Sequence, residues 1–575
     1  MSSSRPTTPL GALLVPAEKT AGAGIAAPAS PAQAGEETLE PRIACRPGQT
    51  LAQALYLSGH FAPPALCSGL ATCGRCRVRV TDGRPDPVPA DLRIFNPEEI
   101  AEGWRLACRH QPAPGMRVEL PDETRPFAAP LTENATEPAD GPVEDEKAFL
   151  AVDLGTTSLE WLLFTPLARG MRILWQGKTV NPQMGAGSDL ISRLSAAGQG
   201  QRLGALTREA LRILTEKSAA VMRAHGLSGA PALCLAANTA MTAITLDADT
   251  AGLARAPYSL PHAGGQWENS PGLPRMWIPP QLSPFVGGDI AAGYAALALD
   301  PDRPAPDYPF LLADLGTNGE FLLALAPDKA LAASVALGPA LEGIGLRHGT
   351  EARPGAITDF SLGPKGLEVR RLPASGPDSP AAGVSNAFPP SSIGITGTGY
   401  LALLRLLLAS GAMDSQGHFT PDDCGPLKRF LGPEKAGPTA MPGDGDWLPL
   451  PLGLRLTARD VEEILKVKAA FSLGLRRLLD KAGLAFRDLA RVRIAGALGS
   501  HVNKQALENL GFFPPGAENR LEAVGNTSLA GAALLLRAPN VRPALIRWAA
   551  TVSTLDLAAD PGFTQNFAAH MRFVW

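Results

Sequence analysis

The chain has 575 residues, too many for one ordinary domain at ~150 residues each, and its 45% hydrophobic and 19% charged residues exclude a wholly disordered polymer. Lys and Arg total 52 against 55 Asp and Glu, a net charge of −3, which leaves no polycationic footprint for nucleic acid or anionic lipid. The apolar runs at 10–15, 400–409 and 529–536 fall short of a signal segment or a bilayer span, so a soluble cytoplasmic protein without nucleic-acid or membrane partners is expected.

Residues 1–38 are mostly Ala, Pro, Ser, Thr and Gly without an apolar period, and are expected to be disordered. Residues 39–125 form a small Arg-rich domain with no Lys, and it holds five of the seven cysteines. Cys67, Cys73 and Cys76 follow C-x5-C-x2-C spacing in CSGLATCGRC, and Cys108 follows in WRLACRHQ. Three thiolates on one tight loop and a distant fourth suit a two-iron cluster, and these four are the candidate metal ligands. Zinc or plain buried thiols is the alternative, although zinc cysteines more often come as two close pairs. The flanks agree with a [2Fe-2S] ferredoxin-like domain of β-grasp form: PGQTLAQALYLSG (47–59) reads as turn and helix, and CRVRVTDG (76–83) as the following strand. Its first strand is either degenerate or supplied by 11–15 across a long loop. Cys45, Cys234 and Cys424 lack spacing partners and read as buried thiols. Arg75, Arg77 and Arg79 alternate along one strand face, read as a solvated face.

Residues 126–147 carry six acidic residues and one Lys, a local net of −5, and read as a solvated linker whose ends lie roughly 25 Å apart as a flexible coil. From 148 to 575 β-like runs alternate with helical patterns, at 203–226 and at 457–483, where Thr457 and Asp460 give a start signal and Gly483 a stop. This is an α/β body. It contains a repeat at an offset of 161: FLAVDLGTTSLEWLLFTP from Phe149 and FLLADLGTNGEFLLALAP from Phe310. Each copy reads as strand, turn, strand with an Asp ending the first strand, which implies two halves, about 148–309 and 310–575, facing a cleft. Such a Gly/Thr turn presents amides and hydroxyls to phosphate, while Asp153 and Asp314 suit a hydrated Mg2+.

The paired DLGTTS and DLGTNG motifs resemble the two phosphate loops of the acetate/sugar kinase, Hsp70 and actin superfamily, and RIAGALGS (493–500) resembles its adenosine motif. The resemblance implies a duplicated RNase H-like ATPase body. It makes Asp153 and Asp314 the catalytic carboxylates, puts Gly155, Thr156, Thr157, Gly316, Thr317 and Asn318 around Mg2+ and the ATP phosphates, and sets Gly496 and Gly499 beside the adenosine. Further blocks, NPQMGAGSDLISRL (181–194), ANTAMT (237–242), PFVGGDIAAG (284–293), GPALEGIGLRHG (338–349), GITGTGYL (394–401) and GNTSLAGA (525–532), resemble the ferredoxin-linked reductive activators of corrinoid proteins. That family implies ATP-dependent transfer of one electron from a [2Fe-2S] cluster, held by Cys67, Cys73, Cys76 and Cys108, to Co(II), restoring the Co(I) of a methyltransferase system. It implies as partners a corrinoid protein and an upstream low-potential donor, with a homodimer as one option for assembly. Cys108 to Asp153 spans only 45 positions, where members often carry an additional segment. A small-molecule kinase with a regulatory cluster, or a nucleotide-binding redox sensor, is the alternative.

Overall fold

Val78 and Val80 alternate with arginines and are fully buried, which marks the inner face of a five-stranded sheet. The computed structural model describes residues 10–16, 42–45, 49–57, 71, 74, 76–120, 132–135, 147–187, 190–198, 203–343, 345–350, 352, 355–364, 366–373, 393–420, 446–496, 502–557 and 559–575. It divides into two units, 1–129 with 182–188, and 130–181 with 189–575.

In the first unit the strands β1 (Leu10–Pro16), β2 (Arg42–Cys45), β3 (Arg77–Asp82), β4 (Trp104–Leu106) and β5 (Arg117–Leu120) are ordered β2-β1-β5-β3-β4. The first strand therefore lies at 10–16, inside the stretch expected to be disordered, and corrects that expectation. β1 pairs in parallel with β2 and antiparallel with β5. Parallel pairing of neighbours requires a long crossover, and the chain between Pro16 and Arg42 is long enough to supply one. The helix Leu51–Leu57 places Leu51 and Leu55 against Ile43, Val78, Leu106 and Val118.

Asp91, fully buried in the helix Pro89–Ile94, ties this unit together. Its carboxylate accepts from Leu106 N at 2.8 Å and Val88 N at 2.9 Å, and His110 Nε2 lies 2.7 Å away. Asp91→Ala leaves these groups without their partner, at about 1–3 kcal/mol for each buried group. Amide exchange in β3 to β5 is expected to accelerate roughly hundredfold, and unchanged exchange at Leu106 would show that Asp91 does not hold the domain.

The second unit contains both copies of the repeat. In the first half β6 (Thr132–Ala135), β7 (Phe149–Leu154), β8 (Ser158–Pro166), β9 (Met171–Val180), β10 (Ala232–Ala237), β11 (Gln266–Glu268) and β12 (Met276–Ile278) form a sheet of order β11-β12-β10-β7-β8-β9-β6. β7, β8 and β9 run as an antiparallel meander, and β10 pairs in parallel with β7. In the second half β13 (Phe310–Leu315), β14 (Asn318–Ala326) and β15 (Lys329–Ala336) repeat the meander. After the hairpins β16 (Ile357–Gly363) with β17 (Gly366–Arg371) and β18 (Trp447–Pro449) with β19 (Arg455–Thr457), the strand β20 (Arg491–Ala495) pairs in parallel with β13. β21 (Leu521–Gly525) and β22 (Val552–Leu555) complete the order β21-β20-β13-β14-β15-β22. Both halves thus share a meander with two parallel strands beside its Asp-bearing strand, while the edges differ, β6 lying antiparallel on β9 and β22 parallel on β15. Thr132–Ala135, in the stretch read as linker, form an edge strand on β9 instead.

β13 shows why its sequence is continuously apolar. Leu311, Ala313 and Leu315 enter a core with Phe321, Ile357 and Phe471, while Phe310 and Leu312 enter another with Ile290, Tyr294, Ala532 and Leu535. The 25-residue helix Ala458–Ala482 starts on a Thr457/Asp460 capping box and stops at Gly483, at φ 69°. No described helix is long and apolar enough to cross a membrane.

Candidate functional site

Of the four cysteine ligands expected, Cys76 and Cys108 are described and both are buried, while Cys67 and Cys73 lie outside the described residues. Cys76 precedes β3, Cys108 sits in the 3-10 turn Ala107–Arg109, and Ala107 N donates to Cys76 O at 2.8 Å. β3 and β4 pair with Arg77 opposite Leu106, so strand register brings the loop cysteine and the distant cysteine to one end of the sheet. Two sheltered sulfurs there fit a thiolate-held cluster.

Arg77 and Arg79 are engaged by their own domain. Arg77 lies over the Phe95 and Trp104 rings, at 5.2 and 5.5 Å, and 3.7 Å from Glu99, while Arg79 pairs with Glu119 at 3.2 Å. Cys234 is fully buried in β10 and burial pushes its thiol up, which makes it inert, whereas Cys45 is only half-buried. Arg75 and Cys424 lie outside the described residues.

The two repeat turns meet in one cleft. Asp153, next to last in β7, faces Glu160 on β8, and Asp314, next to last in β13, faces Glu320 on β14. Asp153 is held by Ser528 Oγ at 2.7 Å and Asn526 Nδ2 at 2.8 Å, and the same amide reaches Glu160 at 3.0 Å. Lys178 Nζ donates to Glu160 at 2.6 Å. Asp289, in the first turn of the helix Gly288–Tyr294, adds its charge to Asp153 and Asp314.

Burial and mutual repulsion raise these carboxyls together. Asp153 is pushed up to about 6 by burial and then by Glu160, against the Ser528 and Asn526 hydrogen bonds. Asp289 rises to about 7 by burial and then by Asp153, and Asp314 to about 8 by burial and then by Asp289 and Asp153. Glu320 is raised well above its ordinary value by the same causes, and its Oε1 is buried with no hydrogen-bond partner. This buried acidic set is short of positive charge, but among the described residues no three of its carboxylates are placed to hold a metal ion directly, so it fits a hydrated Mg2+ at most.

The candidate phosphate ligands divide. Thr157 and Thr317 hydroxyls approach to 3.1 Å, and both donate to Glu342, Thr317 at 3.0 Å. Thr156 is buried and accepts from Asn238 Nδ2 at 3.1 Å, and the Gly155 carbonyl accepts from Asn181 Nδ2 at 2.6 Å. Gly316 N donates to Asn318 O at 3.2 Å, closing the second turn. Gly496, at φ +84°, follows β20 directly, and an added Cβ would stand 2.6 Å from Asp314 Oδ1, so its bareness makes room for that carboxylate. Gly499 lies outside the described residues.

Sequence reasoning missed Glu160, Lys178, Asp289, Glu320, Glu342, Asn526 and Ser528. Four of these lay in blocks already noticed: Asp289 in PFVGGDIAAG, Glu342 in GPALEGIGLRHG, and Asn526 and Ser528 in GNTSLAGA. Glu160 and Glu320 were hidden because the offset slips from 161 to 160 inside the turn. The second turn is one residue shorter, and an irregularity between Ala324 and Ala326 restores the offset by Pro327.

Residues 309–575 match the C-terminal domain of RACo, the ASKHA domain; residues 149–302 match the RACo middle region; and residues 36–113 match the 2Fe-2S iron-sulfur cluster binding domain. The chain is 26% identical over 442 residues to the corrinoid activation enzyme RamQ of Eubacterium limosum, covering 74% of this chain and 70% of that protein. It is 30% identical over 262 residues to the [Co(II) methylated amine-specific corrinoid protein] reductase of Methanosarcina barkeri, covering 44% of this chain and 43% of that one. A solved structure of a reductive activator for corrinoid,iron-sulfur protein superposes with a TM-score of 0.60 at 23% identity, covering 92% of this chain and 96% of the other, a likeness of fold.

Proposed function

We infer the activity from the family: the chain belongs to the RACo family, with a [2Fe-2S] domain ahead of the RACo middle region and the C-terminal ASKHA domain. It reductively activates a corrinoid protein, in an ATP-dependent transfer of one electron that takes Co(II) to Co(I). The joining of these three domains in one chain, in this order, carries the reading. An upstream low-potential donor supplies the electron, one for each cobalt reduced.

Cys67, Cys73, Cys76 and Cys108 would hold the [2Fe-2S] cluster, which when bound supplies single-electron transfer. Asp153 and Asp314 would face a hydrated Mg2+ carried in with the nucleotide, whose charge would offset theirs and that of the phosphates. Asn526 and Ser528 orient Asp153 with two hydrogen bonds, and Lys178 neutralises Glu160 beside it. Thr157 and Thr317 offer hydroxyl donors from opposite halves, so a phosphate chain between them contacts both. Closure of the halves is then a two-state motion that nucleotide biases through contacts made in only one state.

Gly496→Ala tests this cleft at its narrowest point. A methyl at φ +84° is strained and would push the Asp314 carboxylate from its place. ATP turnover is expected to fall roughly tenfold to hundredfold with unchanged circular dichroism, and full turnover would remove Asp314 from the reaction. The reading as a whole is tested anaerobically, by mixing dithionite-reduced protein with a Co(II) corrinoid protein and following Co(I) absorbance with and without Mg-ATP. ATP-dependent Co(I) growth is expected. ATP turnover and an intact cluster without Co(I) across several corrinoid proteins would overturn it in favour of a kinase or sensor.

A further inference from the structure

Glu342 is a buried carboxylate placed where an anion is least welcome. The cleft already holds Asp153, Asp289, Asp314 and Glu320, and burial raises Glu342 as well. Its two oxygens nevertheless take the Thr157 and Thr317 hydroxyls, one from each repeat turn, which approach each other to 3.1 Å. A planar anion bridging two hydroxyl donors satisfies them as two oxygens of a phosphate would.

The segment that delivers Glu342 is the 3-10 turn Pro339–Glu342, bounded by Gly338 at φ +72° and Gly343 at φ +77°. The two ends differ. An added Cβ at Gly343 would meet Thr350 O at 2.4 Å, so that end is wedged against the neighbouring backbone, whereas nothing lies within 4 Å of one at Gly338. Leu337, Ala340 and Leu341 are buried in the core, so the turn can change its path only at the two glycines that bound it, both at positive φ. On its far side the Leu341 carbonyl lies against Gly397, the first residue of the helix Gly397–Ala409, so closely that a Cβ there would stand 1.7 Å away.

We propose that Glu342 is an internal stand-in for nucleotide phosphate: it clasps the two turns together in the nucleotide-free protein and must be expelled for phosphate to enter between Thr157 and Thr317. This rests on the nucleotide reading of the cleft and adds its regulation. Two anions cannot share one pair of hydroxyls in a buried site without strong repulsion, so occupancy is exclusive. Expulsion of Glu342 turns the backbone at the bounding glycines and shifts the Leu341 carbonyl against Gly397, so arrival of phosphate is felt at the helix Gly397–Ala409.

The test is calorimetric titration of the full-length holoprotein and its Glu342→Gln variant with Mg-ADP and, separately, with adenosine. Glutamine keeps the size and removes the charge, so the Kd for ADP is expected to fall roughly tenfold while that for adenosine, which has no phosphate to compete, stays unchanged. An ADP affinity equal to or weaker than that of the parent, with adenosine unchanged, overturns the proposal and makes Glu342 a ligand of the bound complex. If the variant loses both ligands through misfolding, Glu342→Asp decides: the withdrawn carboxylate gives ADP binding a few-fold tighter, or the proposal fails. A parent protein that binds neither ADP nor adenosine overturns the nucleotide reading itself, and the clasp with it.

Discussion

Asp314→Asn is expected to lower ATP turnover roughly 10²- to 10³-fold while making the nucleotide-free protein more stable than its parent at neutral pH. Asp314 is buried among Asp289, Asp153, Glu160 and Glu342, and its carboxyl is raised to about 8. In the unfolded chain an Asp ionises near ~4. The unfolded state therefore gives up this proton first, and between ~pH 4 and about 8 each rise in pH favours unfolding. Stability linked to this group is fully present below ~pH 4 and lost as pH climbs through about 8. Asparagine cannot ionise, so the variant should show a flatter fall of stability over that window. Mg2+ should stabilise the parent more than the variant, because only the parent carries at this position a carboxylate whose charge the cation would offset. Melting curves from pH 5 to 9, with and without Mg2+, check both claims. Parallel curves for the two proteins would mean that Asp314 is not the strained group, and unchanged ATP turnover would remove it from catalysis.

Cys108→Ser is the second large effect. Cys108 sits in a buried 3-10 turn whose Ala107 N–H is bonded to the Cys76 carbonyl, so the turn is positioned by the strand that follows the loop cysteines. Serine fits the space but is a poor ligand for iron, and reduction of Co(II) is expected to fall roughly hundredfold or more, with loss of the [2Fe-2S] visible bands and of protein-bound iron. ATP turnover without a corrinoid partner should stay within about twofold, since the nucleotide residues all belong to the other unit. Retention of the full spectrum would take Cys108 out of the ligand set. A parallel loss of ATP turnover would mean that the cluster supports the ATPase fold, and the division of labour between the units would have to be abandoned.

What could be read from the sequence follows how locally each feature is determined. The helix Ala458–Ala482 was legible at both ends because its cap and stop are made by its own neighbours, Thr457, Asp460 and Gly483. The Asp-ended hairpins were legible because the repeat doubled a weak motif. β1 was obscured because Leu10–Pro16 is surrounded by Ala, Pro and Gly-rich chain, and its stability as a strand comes from β2 and β5, 29 to 110 residues away. Thr132–Ala135 gave no signal at all: TENA is polar and becomes a strand only by pairing with the edge of β9. In the cleft, residues that announce phosphate were found, but those that hold them were not, since Glu342 reaches Thr157 across 185 positions and Ser528 reaches Asp153 across 375.

The unlike surroundings of the two repeat turns have a consequence for directionality. Two identical halves would form a cleft with a two-fold axis, and a polyphosphate could enter it head-first or tail-first with equal ease. Here the Asp and Glu face each other in the same register in both halves, but Lys178 stands opposite Glu160 where Ser334 stands opposite Glu320, and Glu342 comes only from the second half. The asymmetry falls between the two repeat turns. The repeat supplies two similar jaws, and the unlike partners of Glu160 and Glu320 give the cleft a front and a back.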